Sequence, residues 1–104
     1  MPGFGNPFEG NNLGRPLTKE ELIRALRFSI AAEYEAVQFY EQIAESVPDE
    51  RIKKLMKDVA EEEIVHAGEF MRALKTIYPE EARLYEKGEE EASDDMNSER
   101  QPTI

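Results

Sequence analysis

The sequence predicts an all-α protein, an antiparallel hairpin of two long helices followed by a short C-terminal helix. Apolar residues recur at helical spacing over two long segments, and only a few residues around Pro48 separate these segments. A connection that short places two helices side by side in opposite directions. Because a chain of 104 residues buries a limited share of its surface, we expect the hairpin to need a partner.

The composition narrows the classes of function. The chain has 23 acidic and 13 basic residues and a formal net charge of −10, which disfavours nucleic acids and anionic membrane surfaces and favours cations as partners. The absence of cysteine excludes disulfides, thiolate metal sites and a cysteine nucleophile. Because the sequence has neither a signal-peptide pattern nor an apolar run of about 20 residues, we expect a soluble, cytoplasmic protein with no membrane partner.

The N-terminal region leads into the first helix. Residues 1–16 hold four of the six glycines together with prolines and asparagines, a composition typical of a flexible arm. Thr18 followed by Glu21 forms a capping box, in which hydroxyl and carboxylate accept each other's backbone N–H groups. The helical period then continues to about Ala44.

The second helix begins after a break. Pro48, with Asp49 behind it, is typical of a new first turn. The second periodic segment runs from about Asp49 to Ile77, and it stops before Pro79 because the residue that precedes a proline avoids helical conformation. Each long helix has about 27 residues and is therefore roughly 40 Å long.

The C-terminal region is predicted to hold one short helix and a tail. Pro79 can open a helix, which we expect to run to about Glu86 and to end at Gly88. Residues 88–104 are acidic and nearly free of large apolar side chains, which predicts a disordered tail. The folded domain is therefore predicted to span residues 17–87.

Two glutamates lie in the middle of the apolar stripes. At about 100° per residue, Glu33 occupies the centre of the stripe on the first helix and Glu63 the centre of the stripe on the second. His66, which is the sole histidine of the chain, lies about 60° from Glu63 on the same face. The apolar residues around them are Leu22, Leu26, Ile30, Val37, Tyr40 and Ala44 on the first helix and Ile52, Met56, Val59, Ala67, Phe70, Leu74 and Ile77 on the second.

These positions favour a metal site. Burial of an ionised carboxylate is costly unless a basic residue, a proton or a cation compensates it, and neither stripe has a lysine or arginine at its centre. Residues 63–66 form a Glu-x-x-His motif, whose spacing lets both side chains converge on one ion. The alternative is that His66 lies at the edge of an ordinary core and that the glutamates face water.

The number of ligands predicts a dimer. A di-iron bundle uses a lone glutamate from each of two helices and a Glu-x-x-His motif from each of the other two. One copy of this chain supplies half of that set, and its apolar stripe also needs a second pair of helices to cover it. Metal binding and hydrophobic burial therefore call for the same homodimer.

Residues 32–40 and 61–67 resemble the corresponding segments of the encapsulated ferritins, and the similarity covers about residues 18–87. The resemblance implies that two hairpins form a ferritin-like four-helix bundle and that dimers assemble into a ring-like homodecamer. It further implies an encapsulin shell protein as partner, a location within an encapsulin nanocompartment, and a ferroxidase centre at each dimer interface that uses iron as cofactor and serves iron storage.

The resemblance also assigns roles to residues. Glu33, Glu63 and His66 match the iron ligands, each contributed twice across the dimer. Tyr40 matches a tyrosine beside the metals and is spaced to hydrogen-bond a ligating carboxylate, although an ordinary core aromatic would occupy the same position.

This sequence departs from the encapsulated ferritins at two places. Glu35 matches one member of an outer metal-binding pair, but Ala32 stands where the other member would be, and helix angles place Glu35 towards solvent. Residues 99–104 do not resemble the C-terminal peptide that docks cargo to the shell. The docking signal then lies elsewhere, or the domain is normally fused to a shell protein, or the protein is not shell cargo.

Three functions are compatible with the sequence. The first is a ferroxidase that oxidises Fe(II) to Fe(III) with dioxygen or peroxide. The second is a rubrerythrin-like peroxide reductase, which shares these ligands but commonly couples to a cysteine-rich domain that this chain lacks. The third is a non-enzymatic scaffold, a helical homodimer whose arm or tail binds a partner.

Overall fold

A computed structural model describes residues 14–98, which form three helices. They are α1 (Lys19–Ser46), α2 (Glu50–Ile77) and α3 (Pro79–Met96). The first two pack against each other as an antiparallel hairpin, and α3 follows directly after α2. The predicted all-α fold is therefore confirmed. None of the helices in the described part of the chain has both the length and the hydropathy that a membrane span requires.

The predicted capping box fixes the start of α1. The Thr18 hydroxyl accepts the Glu21 N–H at 3.2 Å, and the Glu21 carboxylate accepts the Thr18 N–H at 2.9 Å. Arg15 donates to both Glu21 carboxylate oxygens, at 2.7 and 3.0 Å. These contacts, led by that of Arg15, lower the pKa of Glu21 to about 2. The helix therefore begins where the local sequence places it.

The hairpin core is built largely from small side chains. Asp49 caps the start of α2 by accepting the Arg51 N–H at 2.9 Å, and the short turn before it keeps the two long helices adjacent. The buried apolar residues of the described chain are Ile23, Val37, Ala44, Ala60, Ala67 and Leu74. Because half of these are alanines, a single hairpin buries little large apolar surface, and much of the two stripes stays partly exposed.

The prediction for the end of the third helix was wrong. The chain remains helical through Gly88 and α3 ends at Met96, so residues 88–96 are helix and not disordered tail. A glycine inside a helix costs only about 1 kcal/mol relative to alanine, and residues 89–92, three glutamates and an alanine, are good helix formers. The predicted arm, apart from residues 14–16, and the last six residues of the predicted tail lie outside the described residues.

A buried carboxylate attaches the first turn of α3 to α1. Glu81 is buried, and the Arg27 guanidinium of α1 donates from Nε to its two oxygens at 3.0 and 3.2 Å. The Tyr85 hydroxyl donates to the same carboxylate. The hydrogen bonds from Arg27 and Tyr85 hold the pKa of Glu81 below its ordinary value, although burial acts in the opposite direction. This ion pair sets the position of α3 relative to the hairpin.

Glu81→Gln is expected to lower the free energy of unfolding by about 1 kcal/mol at neutral pH, since Arg27 is half exposed and solvent screens the pair. The folded-state pKa of Glu81 is depressed, so its contribution is fully present above the ordinary value of 4.5 and is lost as the pH falls through the folded-state pKa. Urea unfolding of both proteins at several pH values should therefore give a difference that disappears in acid. Glu80→Gln, which changes an exposed carboxylate one residue away, serves as the control, and an equal effect there would contradict the role of Glu81.

Candidate metal centre

The structure places Glu33, Glu63 and His66 side by side in the middle of the hairpin. Nδ1 of His66 lies 3.6 Å from Oε2 of Glu33 and 3.7 Å from Oε1 of Glu63. One ligand atom from each residue lies within 4.8 Å of the others. The pairing of α1 with α2 thus brings Glu33 beside Glu63 and His66, which are distant from it in sequence, and the role of all three as iron ligands stays a prediction.

The two carboxylates are largely withdrawn from water. The side chains of Glu33 and Glu63 are 17% and 18% exposed, whereas that of His66 is 46% exposed. Oε2 of Glu33 is buried and has no hydrogen-bond partner within residues 14–98. The only ion-pair partner that either carboxylate has in this part of the chain is His66. A buried acceptor without a donor is costly, so the site is incomplete as it stands.

The electrostatics of the site favour a cation. The adjacent Glu63 carboxylate and burial raise the pKa of Glu33, and His66 acts in the opposite direction. Two carboxylates and an imidazole are the donor types that suit a first-row divalent metal such as iron. A bound cation would give the unpartnered oxygen a ligand bond and would relieve the repulsion between the two carboxylates. The residues therefore fit a metal ion.

The other two sequence-predicted residues are less closely tied to the site. Tyr40 is half-buried and packs its ring 5.7 Å from that of Phe39, centroid to centroid. Within residues 14–98, no hydrogen bond joins it to a candidate ligand, so its role also stays a prediction. Glu35, which helix angles place towards solvent, is half-buried and lines a groove together with Ala32.

The face that carries the candidate ligands is open. Leu22 and Ile52, which lie about 20° from Glu33 and Glu63 on their helices, are both exposed large hydrophobic residues. Other members of the stripes, including Leu26 and Phe70, are half-buried. The hairpin therefore presents three clustered ligands within an apolar surface that its own helices do not cover.

A helical hairpin with a lone glutamate on one helix and a Glu-x-x-His motif on the other belongs to the ferritin-like class of protein. The family model of the rubrerythrins matches residues 24–101. A solved structure, the encapsulated ferritin domain from Pyrococcus furiosus, is 44% identical, with a TM-score of 0.75 over 77% of this chain and 82% of that one. The chain is thus a member of the rubrerythrin family and, within it, of the encapsulated ferritins.

Two curated relatives are similar over most of this chain. The ferritin-like–encapsulin shell fusion protein of Pyrococcus furiosus is 43% identical over 83 residues, which are 80% of this chain and 24% of that protein. The encapsulin nanocompartment cargo protein EncC of Myxococcus xanthus is 32% identical over 77 residues, which are 74% of this chain and 58% of that protein. The chain thus spans about a quarter of the first relative and somewhat more than half of the second.

Proposed function

We propose that this protein is a ferroxidase, which oxidises Fe(II) to Fe(III) at a di-iron centre formed between two copies of the chain. The observation that carries the proposal is the cluster of Glu33, Glu63 and His66, in which one buried carboxylate oxygen has no partner. The carboxylates suit the task because hard oxygen donors bind both oxidation states of iron. The chain's membership of the encapsulated ferritins supports the same function.

The second copy is needed for two physical reasons. One chain supplies two carboxylates and one imidazole, which is half of the ligand set of a di-iron bundle. The same face exposes Leu22 and Ile52, and a second hairpin laid across it would cover this apolar surface. The proposed homodimer therefore completes the ligand set and the hydrophobic core together.

The net reaction balances without a further reductant. Two Fe(II) ions give two electrons either to one dioxygen, which takes up two protons and becomes hydrogen peroxide, or to one hydrogen peroxide, which takes up two protons and becomes two water molecules. The iron supplies this redox chemistry. The chain binds the ions through Glu33, Glu63 and His66, sets their spacing, and surrounds them with apolar side chains that exclude bulk water.

The association of the two relatives with encapsulin shells indicates where the Fe(III) product would be stored. One of them is by name a fusion to an encapsulin shell and the other an encapsulin cargo protein. A dimer of two helical hairpins has no enclosed cavity for an iron mineral. We therefore assign this protein the same setting, a cytoplasmic nanocompartment in which an encapsulin shell holds the Fe(III) product. We further propose that the protein assembles there as a ring-like homodecamer.

Anaerobic Fe(II) titration followed by exposure to air tests the proposal. A centre shared by two copies should bind about one Fe(II) per chain in the anaerobic titration, and exposure to air should then convert this iron to Fe(III). Two tightly bound ions per chain would contradict a shared centre.

The rubrerythrin family model also leaves a peroxide reductase as a second candidate. Such an enzyme would consume hydrogen peroxide over many cycles in the presence of an electron donor. A ferroxidase would instead accumulate Fe(III) in proportion to the iron supplied.

A further inference from the structure

The first residues of the chain carry large apolar side chains that they cannot bury among themselves. Residues 1–13 hold Phe4, Phe8 and Leu13 together with three glycines, two prolines and three asparagines. That composition disfavours both helix and strand, so we expect no core within the segment itself. Removing these side chains from water therefore requires an apolar surface elsewhere.

The chain that follows this segment is attached to one side of α1. Arg15 donates to both carboxylate oxygens of Glu21, at 2.7 and 3.0 Å. The backbone bends at residues 14–15, where Gly14 has a φ of 70°, a conformation that glycine adopts without steric cost. The bend lets the preceding residues run back along α1, beginning on the side that carries Glu21.

The same side of α1 carries an apolar line. At 100° per residue, Glu21, Phe28 and Phe39 lie within about 20° of one another and at least about 120° from Glu33. Phe28 and Phe39 each line a groove, and Phe39 is 58% exposed. The two grooves are also lined by alanines, which are Ala31, Ala32 and Ala36. Because the line points away from the candidate metal centre, a second copy laid across that centre leaves it open.

The N-terminal segment is long enough to follow this line. Phe28 and Phe39 lie about 14 Å and 30 Å from the first residue of α1, measured along the helix. Phe8 and Phe4 precede Leu13 by five and nine residues, which correspond to about 16 Å and 30 Å in an extended chain. The two phenylalanines of the segment therefore come level with the two phenylalanines of α1.

The charges of the two surfaces are complementary. Glu9 is the sole charged side chain of residues 1–13. The groove at Phe28 is lined by Arg24 and Arg27, and Arg24 has no ion-pair partner within residues 14–98. An acidic segment is thus attracted to this part of an otherwise acidic protein.

We propose that residues 1–13 dock along this side of α1 of the same chain, with Phe8 on Phe28 and Phe4 on Phe39. The contact buries apolar surface that neither α2 nor a second copy on the metal face covers. It therefore stabilises the single hairpin and needs no metal. The docking is independent of the proposed ferroxidase function.

Disulfide formation tests the docking, because the chain has no cysteine of its own. In the full chain with EDTA and a glutathione redox buffer, the pair Asn11→Cys/Arg24→Cys should form a disulfide within one chain, since both positions lie about 7 Å along α1. Its rate should exceed that of the pair Asn11→Cys/Arg72→Cys by at least about tenfold, because docking raises the effective concentration of the two thiols. Non-reducing electrophoresis and mass spectrometry distinguish bonds within one chain from bonds between chains.

Arg72 makes a matched control because it is an exposed arginine like Arg24, but on α2, about 180° from Glu63. Adding Phe4→Ala and Phe8→Ala to the first cysteine pair should lower its rate to that of the control. Far-UV circular dichroism verifies that every variant is helical. Equal rates for the two pairs, a rate that does not depend on Phe4 and Phe8, or a disulfide that links two chains would each overturn the proposed contact.

Discussion

Glu63→Ala is expected to lower the rate of Fe(II) oxidation by more than about 100-fold. This is a larger loss than removal of a residue that only hydrogen-bonds a metal ligand would cause. Glu63 contributes a carboxylate to the cluster with Glu33 and His66, and in a two-fold dimer one substitution removes two ligands. Stopped-flow absorbance of Fe(III) after mixing the Fe(II)-loaded protein with aerated buffer measures the rate.

Glu62→Ala is the matched control for this experiment. Glu62 is exposed and adjacent to Glu63, but it points about 100° away around α2. The control removes one negative charge from the same turn and should retain the activity. If both variants lost activity equally, general electrostatic attraction of Fe(II) would account for the effect, and Glu63 would not be a ligand.

Removal of a candidate ligand should raise the stability of the metal-free protein, although it abolishes the activity. Glu33→Gln removes a charge that repels Glu63, and the new amide can donate to that carboxylate. We expect the free energy of unfolding to rise by about 1 kcal/mol without metal and the stabilisation by Fe(II) to disappear. A scaffold protein would instead gain the same stability with and without Fe(II), so thermal unfolding under both conditions separates the two functions.

The sequence was sufficient to predict the candidate site because the site depends on two regular helices in register. The positions of Glu33 and Glu63 follow from 3.6 residues per turn, and the short connection after Ser46 places α1 beside α2. The start of α1 was equally predictable, since the contact between Thr18 and Glu21 is local. Both inferences depend on geometry that neighbouring residues determine.

The features that the sequence did not predict depend on where α3 lies. A glutamate in the first turn of a helix is ordinary, so nothing marked Glu81 as a buried residue that pairs with Arg27, 54 positions away. The course of the helix beyond Gly88 was missed for a related reason. A glycine near acidic residues is compatible with a helix end and with helix continuation, and local propensity differs too little to decide between them.

Dimerisation should be coupled to metal. Without a cation, a two-fold contact across the open face brings four carboxylates together, two each of Glu33 and Glu63, and their repulsion opposes association. An ion that binds only the dimer, present at about 100 times its dissociation constant, raises the association constant about 100-fold. Sedimentation velocity under anaerobic conditions, with and without Fe(II), should therefore show the dimer at lower protein concentration when the metal is present.

His66→Ala is the informative variant for this linkage. It leaves all four carboxylates and their repulsion in place but removes one ligand from each half of the centre, so the metal-free equilibrium should change little while the response to Fe(II) weakens. Glu62→Ala should respond to Fe(II) like the unmodified chain. If Fe(II) left the association constant unchanged, each chain would bind metal independently or the pairs of carboxylates would lie too far apart to share an ion. In either case the completion of the site by a second copy would be wrong, although the cluster within one hairpin would still stand.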